Sequence, residues 1–498
     1  MSRTKEDWTR PRQQSALPPQ RPSRVLLHSL RTITLAWAFG AAWMYITTGA
    51  TLTRGAQLFG MPALGFGILA ALPYAGSLMQ LPASYYIEKY GHRKTVFLVC
   101  GIIHRALWLL IAAIPWLVPP DGWWIALLIL LGTSGVLGHA ATPGVLAWFG
   151  DVVPRAVRGR YFSRRMQVGQ LAGLVATLAV GWALDRTGTV GEASLRLMVS
   201  ALFAAAAVAG IIDFLLLSRL PDPSPDPPNP TLSLWSMLRG PLGDPSFRRY
   251  LAYNMTLTFG LGYVGQFIWL YVFDVVEMTN AQANLMLVGI PLVISMMSAR
   301  FWGNLIDRHG RLPVLAIAGT LIVFGGASWI FVTKDNWWLG YPAAAVAMFA
   351  FPGLELANLN LLFGLTRTPG TRRQNSAYMA VNSVAIAVAG VLSGLFGGFV
   401  ARALEDWSGT LFGWPLTYHG LLLLISSALR ALSLVWLIGI RDEGAHGTRM
   451  AIRHVRVNIY SNVQQAFLMP ARRLGTLRRN SFRLRGFLAL PRIRRSRR

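Results

Sequence analysis

The chain reads as an all-α membrane protein, with twelve transmembrane helices arranged as two pseudo-symmetric six-helix bundles. Three observations carry that reading. Of 498 residues, 53% are hydrophobic and only 13% charged, whereas soluble domains run at roughly a quarter charged. The apolar residues gather into runs of about 20, the length that crosses a hydrocarbon core roughly 30 Å thick. Between those runs the loops alternate, basic then acidic, which is how a multi-pass chain records its sidedness.

The spans are predicted in order at 32–51, 63–86, 96–115, 123–149, 166–184 and 197–217, then at 250–272, 283–306, 314–332, 337–365, 377–401 and 416–440. Most lack the polar face that a soluble helix of this length would show. The longest polar interruption follows the sixth span and begins "SRLPDPSPDPPNP", a proline-rich stretch that favours a stiff, extended linker. The expected organisation is a basic arm at 1–30, a bundle at 31–218, a linker at 219–249, a second bundle at 250–441 and an arginine-rich tail at 442–498.

The formal charge of +27 could suggest nucleic acid, but its placement points elsewhere. Loops at 92–94, 155–165, 239–249, 308–311 and 367–373 are basic, as are both termini. The opposite set offers only Arg54, Arg186, Arg196, Lys334 and Arg402 against Asp121, Asp185, Glu192, Asp274, Glu277, Asp335, Glu405 and Asp406. Basic loops stay on the cytoplasmic side, so both termini are expected inside. In the tail, Ile452, Val455, Ile459, Val463 and Phe467 recur at helical spacing opposite Arg449, Arg453 and Arg456. That pattern fits a helix lying on anionic lipid, or a solvated basic tail. Cys100 is the only cysteine, so no intrachain disulfide forms. The polar N-terminal arm has no signal-peptide apolar core.

Charged glycine turns follow the second span of each half, "ASYYIEKYGHRK" and "FWGNLIDRHGRLP". Phe39-Gly40 and Phe259-Gly260 also occupy matching places, and Gly169 with Gly173 is echoed by Gly390 with Gly394. Glycines four apart let helix backbones approach closely in lipid. Duplicated bundles around a central site are a carrier layout.

These residues resemble the major facilitator superfamily, whose second-helix loop carries Gly-x-x-x-Asp-Arg-x-Gly-Arg-Arg. Gly303, Asp307, Arg308, Gly310 and Arg311 match the copy in the second half, with Leu312 at the last position. The first-half copy has Ser84, Glu88, Lys89, Gly91, His92 and Arg93. Asp151, Pro154, Arg158 and Gly159 resemble the family's pattern after the fourth helix. The resemblance covers roughly 32–441 and implies that these acid–base pairs latch the bundles on the cytoplasmic side while the site opens outward. Each glycine would permit the tight reversal between neighbouring helices.

Ionisable groups inside apolar spans are costly and mark candidate transport residues. Arg105 lies in the third span beside His104, Glu355 in the tenth with Asn358 one turn on, and Arg430 in the twelfth. Tyr45, Asn254, Thr258, Tyr263 and Gln266, in the first and seventh spans, are expected to line a central cavity. Glu355 would exchange a proton, and Arg105 or Arg430 would hold an anionic group or act as its counter-charge. The bland alternative makes these interhelical pairs or snorkelling ends. Asp213 and Arg300 are expected to snorkel from near the cytoplasmic ends. His139 is expected to hydrogen-bond between helices.

Two departures weigh against a drug–proton antiporter. "LGTSGVLGHAA" in the fourth span lacks the arginine of many proton-coupled members, and "QVGQLAGLVATLAVGW" lacks the Gly-Pro-x-x-Gly-Gly element. No phosphate loop, zinc helix or nucleophile elbow is present, so neither an enzyme nor a cofactor is expected. The expectation is a monomeric secondary carrier of the bacterial cytoplasmic membrane, taking a small solute with proton coupling through Glu355. A sensor or scaffold acting through its basic tail is the alternative. Arg105, Arg430 and Glu355 favour a charged or zwitterionic solute, while Trp37, Trp43 and Trp269 fit a sugar equally.

Overall fold

The computed structural model describes residues 24–153, 158–220, 241–365, 372–411 and 413–440. Most of the N-terminal arm, Pro154, most of the linker and the whole amphipathic tail lie outside them. The described chain is helical nearly throughout, and eleven of its helices are long and apolar enough to cross a membrane. The first span completes the first bundle. It packs against the fifth and sixth spans.

The first and seventh spans are both interrupted. The first runs Arg24–Ile46 and resumes as Ala50–Leu58. At the break Thr47 and Thr48 donate to the carbonyls of Trp43 and Met44, at 2.9 and 2.8 Å, which competes with helix propagation. Gly49 then takes φ 64°, a left-handed conformation open mainly to glycine. The seventh runs Pro245–Gly262, breaks at 263–266, and resumes as Phe267–Leu270 and a π turn, Tyr271–Val275. Asp244 caps its start, accepting from the Ser246 amide at 2.8 Å.

The second span is Ala63–Ser77, with Pro73 inside it, then Gln80–Tyr90, the two parted at 78–79. The third to sixth are Arg93–Leu117, Trp123–Val152, Arg158–Gly188 and Glu192–Ser218. The eighth starts at Asn280–Asn284 behind a capping box of Thr279 and Gln282, and ends as Ile290–His309. Arg311–Ala327, Gly340–Leu365, Arg372–Ala403 and Tyr418–Val435 complete the set. One small element was not expected: strands Ser408–Leu411 and Trp414–Thr417 form an antiparallel hairpin before the last span.

Turn chemistry follows the sequence motifs. Gly91 and Gly310 take φ 74° and 87°, reversing the chain after the second and eighth spans. Both lie at the end that carries the basic loops, called here the basic end.

Three buried clusters locate the cores. One belongs to the first half, near the basic end, and includes Leu30, Ile33, Phe97, Trp148 and Phe214. A second belongs to the other half and holds Phe247, Tyr250, Trp302 and Leu361. The largest straddles both halves at the far end, joining Phe59, Phe66, Trp108 and Phe203 to Val264, Phe267, Trp269 and Phe273. The helices show the same division. Ala63–Ser77 packs along the eleventh span and the fifth span meets the start of the eighth, whereas Gln80–Tyr90 and Ile290–His309 pack within their own halves. Among the described residues, the bundles converge at the far end and separate toward the basic end.

Candidate functional site

At the far end a polar clasp joins the halves. Asp185, closing the fifth span, accepts from the amides of Asn280 and Ala281 at 2.7 and 2.9 Å and from the Asn280 side chain at 2.8 Å. A carboxylate at a helix N-terminus satisfies orphan amides and meets the positive end of the dipole. Arg54 donates to Asn280 Oδ1 and Gln57 Oε1, both at 2.9 Å, and stacks on the Phe273 ring at 3.8 Å. Gln57 donates to Asp274 at 2.9 Å, and Asn284 to the Thr177 carbonyl at 3.1 Å. In the sequence, Arg54 and Asp185 stood only as loop charges.

The clasp makes a direct prediction. Asp185→Ala should weaken far-end closure by about 0.5–2 kcal/mol, the scale of a lost helix cap. A single cysteine at Ala283, fully buried in the cross-half cluster, would report it in a Cys100→Ala background. Faster labelling of that cysteine by an impermeant maleimide is the expected result.

In the first half Arg105 is 8% exposed and Asp213 6%, with Nη2 and Oδ2 3.9 Å apart. The guanidinium lies 3.3 Å from the Trp43 ring centroid, and His104 bridges onward to Ser134 at 2.7 Å. Arg165 lies over the Trp37 ring at 4.3 Å and adds a second positive charge near Asp213. Two expectations are thereby corrected. The counter-charge to Arg105 is Asp213 rather than Glu355, and Asp213 is buried rather than snorkelling. Helix packing decides both, since Asp213 on the sixth span faces the bundle interior, where Arg105 meets it. His139 hydrogen-bonds Gln80 across the fourth and second spans at 2.9 Å.

The second half places Asn254, Asn358 and Asn382 in a chain. Asn358 donates to Asn254 at 2.8 Å, and Asn254 to Asn382 at 3.0 Å, linking the tenth, seventh and eleventh spans. Tyr250 donates to the Asn358 carbonyl at 3.2 Å. Glu355 sits one turn from Asn358, exposed and outside this chain of bonds. Gln266 stands at the break of the seventh span with a buried Oε1 that has no partner. Tyr45 precedes the matching break in the first and packs against Gly173. The structure therefore brings Asn254 and Asn358 together, places Tyr45 and Gln266 at the paired interruptions, and leaves Glu355 apart.

Arg430 faces a cavity of about 220 Å³ in the second half. Its Nε is buried without a hydrogen-bond partner, and no carboxylate pairs with it among the described residues.

The motif residues lie at the basic end. Asp307 and Arg308 are exposed, Gly303 faces open space, and Arg311 donates to the Asn360 carbonyl at 3.2 Å. Lys89 lies over the Tyr85 and Tyr90 rings, and Arg93 is buried, at 3% exposure. The side chains of Glu88, Asp151 and Arg158 lie outside the described residues.

Two helical bundles clasped at one end, with paired helix breaks and buried polar groups within each, define a multi-pass membrane transporter. The family model described as Major Facilitator Superfamily matches residues 31–394, and the chain belongs to that superfamily. Solved structures agree on the fold. A nucleoside transporter, NupG, is 15% identical with a TM-score of 0.59, over 84% of this chain and 99% of that one. A D-xylose-proton symporter is also 15% identical at 0.59, covering 85% and 99%. A bacterial homologue of the iron transporter ferroportin in its inward-facing state is 16% identical at 0.58, covering 83% and 98%. Its outward-facing counterpart scores 0.52. Comparison with curated proteins returns no significant match.

Proposed function

We propose that this transporter is a secondary carrier that moves a small solute by alternating access, and that its structure is the state open to the cytoplasm. The observation that carries the reading is the far-end cluster. The only buried core shared by both halves lies there, among the described residues, sealed by Asp185, Arg54 and Asn280. The basic loops assign the open end to the cytoplasmic side. The closer likeness to the inward-facing ferroportin homologue supports the same state. Exposed Asp307 and Arg308 fit a latch that engages only when the basic end closes. The paired breaks near Tyr45 and Gln266 fit a solute site at the bundle interface, where interrupted helices expose backbone polar groups. Asn254 and Asn358 would orient the solute from the second half. Family membership favours this reading over a sensor working through its tail.

Three measurements test it. A thermal-shift screen identifies a ligand, since binding to the folded state raises its stability. In proteoliposomes, preloaded unlabelled ligand should accelerate entry of labelled ligand; a sensor would show no such counterflow. A pH gradient should speed that entry severalfold in the parent and leave Glu355→Gln unaffected. Equal gradient responses in the two proteins would remove Glu355 as the proton-coupling group.

A further inference from the structure

We infer that the cavity beside Arg430 binds the apolar body and single negative charge of a small organic carboxylate, of the aromatic or short aliphatic kind. The inference deepens the carrier reading by naming a substrate class. The cavity, about 220 Å³, is framed by the seventh to tenth and twelfth spans. Its walls include Trp269, Trp329, Phe351, Ile322, Met348 and Leu423, and Arg430 is the single charged residue among them. That volume lies below the roughly 300–1,000 Å³ of clefts for drug-sized ligands, so the occupant is small.

Charge balance selects the ligand class. Arg105, buried in the first half, already has Asp213 beside it. Arg430 has no such partner among the described residues. Its Nη1 is packed close to Gly326 of the ninth span and its Cγ to Gly260 of the seventh, where a Cβ would stand 2.7 and 3.1 Å away. The two glycines make room for a guanidinium that no carboxylate neutralises among the described residues. An unpaired charge in apolar surroundings is costly, and the guanidinium fork matches a carboxylate with two parallel hydrogen bonds. A ligand that brings one carboxylate and an apolar remainder satisfies both walls and charge. A sugar does not, because most of its hydroxyls would face apolar walls without partners.

The test uses the purified full-length protein, with benzoate as probe and benzamide and xylose as neutral controls. Trp269 and Trp329 line the cavity, so quenching of intrinsic fluorescence reports occupancy. Benzoate is expected to bind at least tenfold more tightly than benzamide, with no response to xylose. Arg430→Met, which keeps the bulk and removes the charge, should cost benzoate tenfold or more and leave benzamide unchanged. Ala347→Phe, filling the cavity without touching the charge, should abolish both signals and covers the case in which Arg430→Met does not fold. Equal binding of benzoate and benzamide, or benzoate binding that survives both variants, overturns the proposal. Counterflow separates it from the carrier reading. Benzoate binding without benzoate counterflow upholds the site and counts against carriage, while counterflow of another solute with no benzoate binding sinks the site alone.

Discussion

Gly67→Leu should hold the transporter open at its far end. A Cβ at Gly67 would lie 2.3 Å from the Gly398 Cα and 2.7 Å from the Gly394 carbonyl oxygen. Both are backbone atoms of the eleventh span, so no rotamer change relieves the clash. The contact crosses between the halves, and the strain therefore falls on the closed far end and vanishes when the halves part there. Overpacking of this kind costs about 1–3 kcal/mol. At about 1.4 kcal/mol per factor of ten, the closed state loses roughly five- to a hundredfold in population. The cysteine at Ala283 should label rapidly from the far side, and solute counterflow should fall because the carrier cannot complete its cycle. Unchanged labelling with full transport would show that the second and eleventh spans do not separate during turnover.

Asp213→Ala should strip the first half of its stability. It leaves Arg105 buried against Trp43, with Arg165 nearby and no carboxylate between them. Removing one partner of a buried pair costs about 3–5 kcal/mol, because the remaining charge stays desolvated. The expected result is a large fall in thermal midpoint in detergent, or no recoverable protein. The double variant Asp213→Leu with Arg105→Met should regain most of that loss, since apolar replacement of a buried pair is often neutral or better. If the double variant also transports, the pair is structural. If it folds but does not transport, the charges take part in the cycle.

Much of this architecture could be read along the chain, because lipid leaves a helix few alternatives and loop charge records sidedness. The glycine turns at Gly91 and Gly310 were visible for the same local reason, as was the family through its motif residues. The boundaries were less so. The first span begins at Arg24 rather than 32 and the fifth at Arg158 rather than 166, because arginine is a good helix former and the helix continues past the apolar core. The interruption of the seventh span was hidden within a stretch that reads as a single span, 250–272.

What the sequence determined by itself was the class of protein: the number and order of apolar spans, their duplication, and the end at which the basic loops gather. These depend on composition and on spacing within single helices. What the tertiary structure decided was which charges meet. Arg105 finds Asp213 on the sixth span, Asp185 finds the start of the eighth, and Arg430 finds no acid among the described residues. Those outcomes turn on the rotation and depth of helices distant in the chain, and a buried charge costs little or much according to whether a partner a few ångströms away happens to face it.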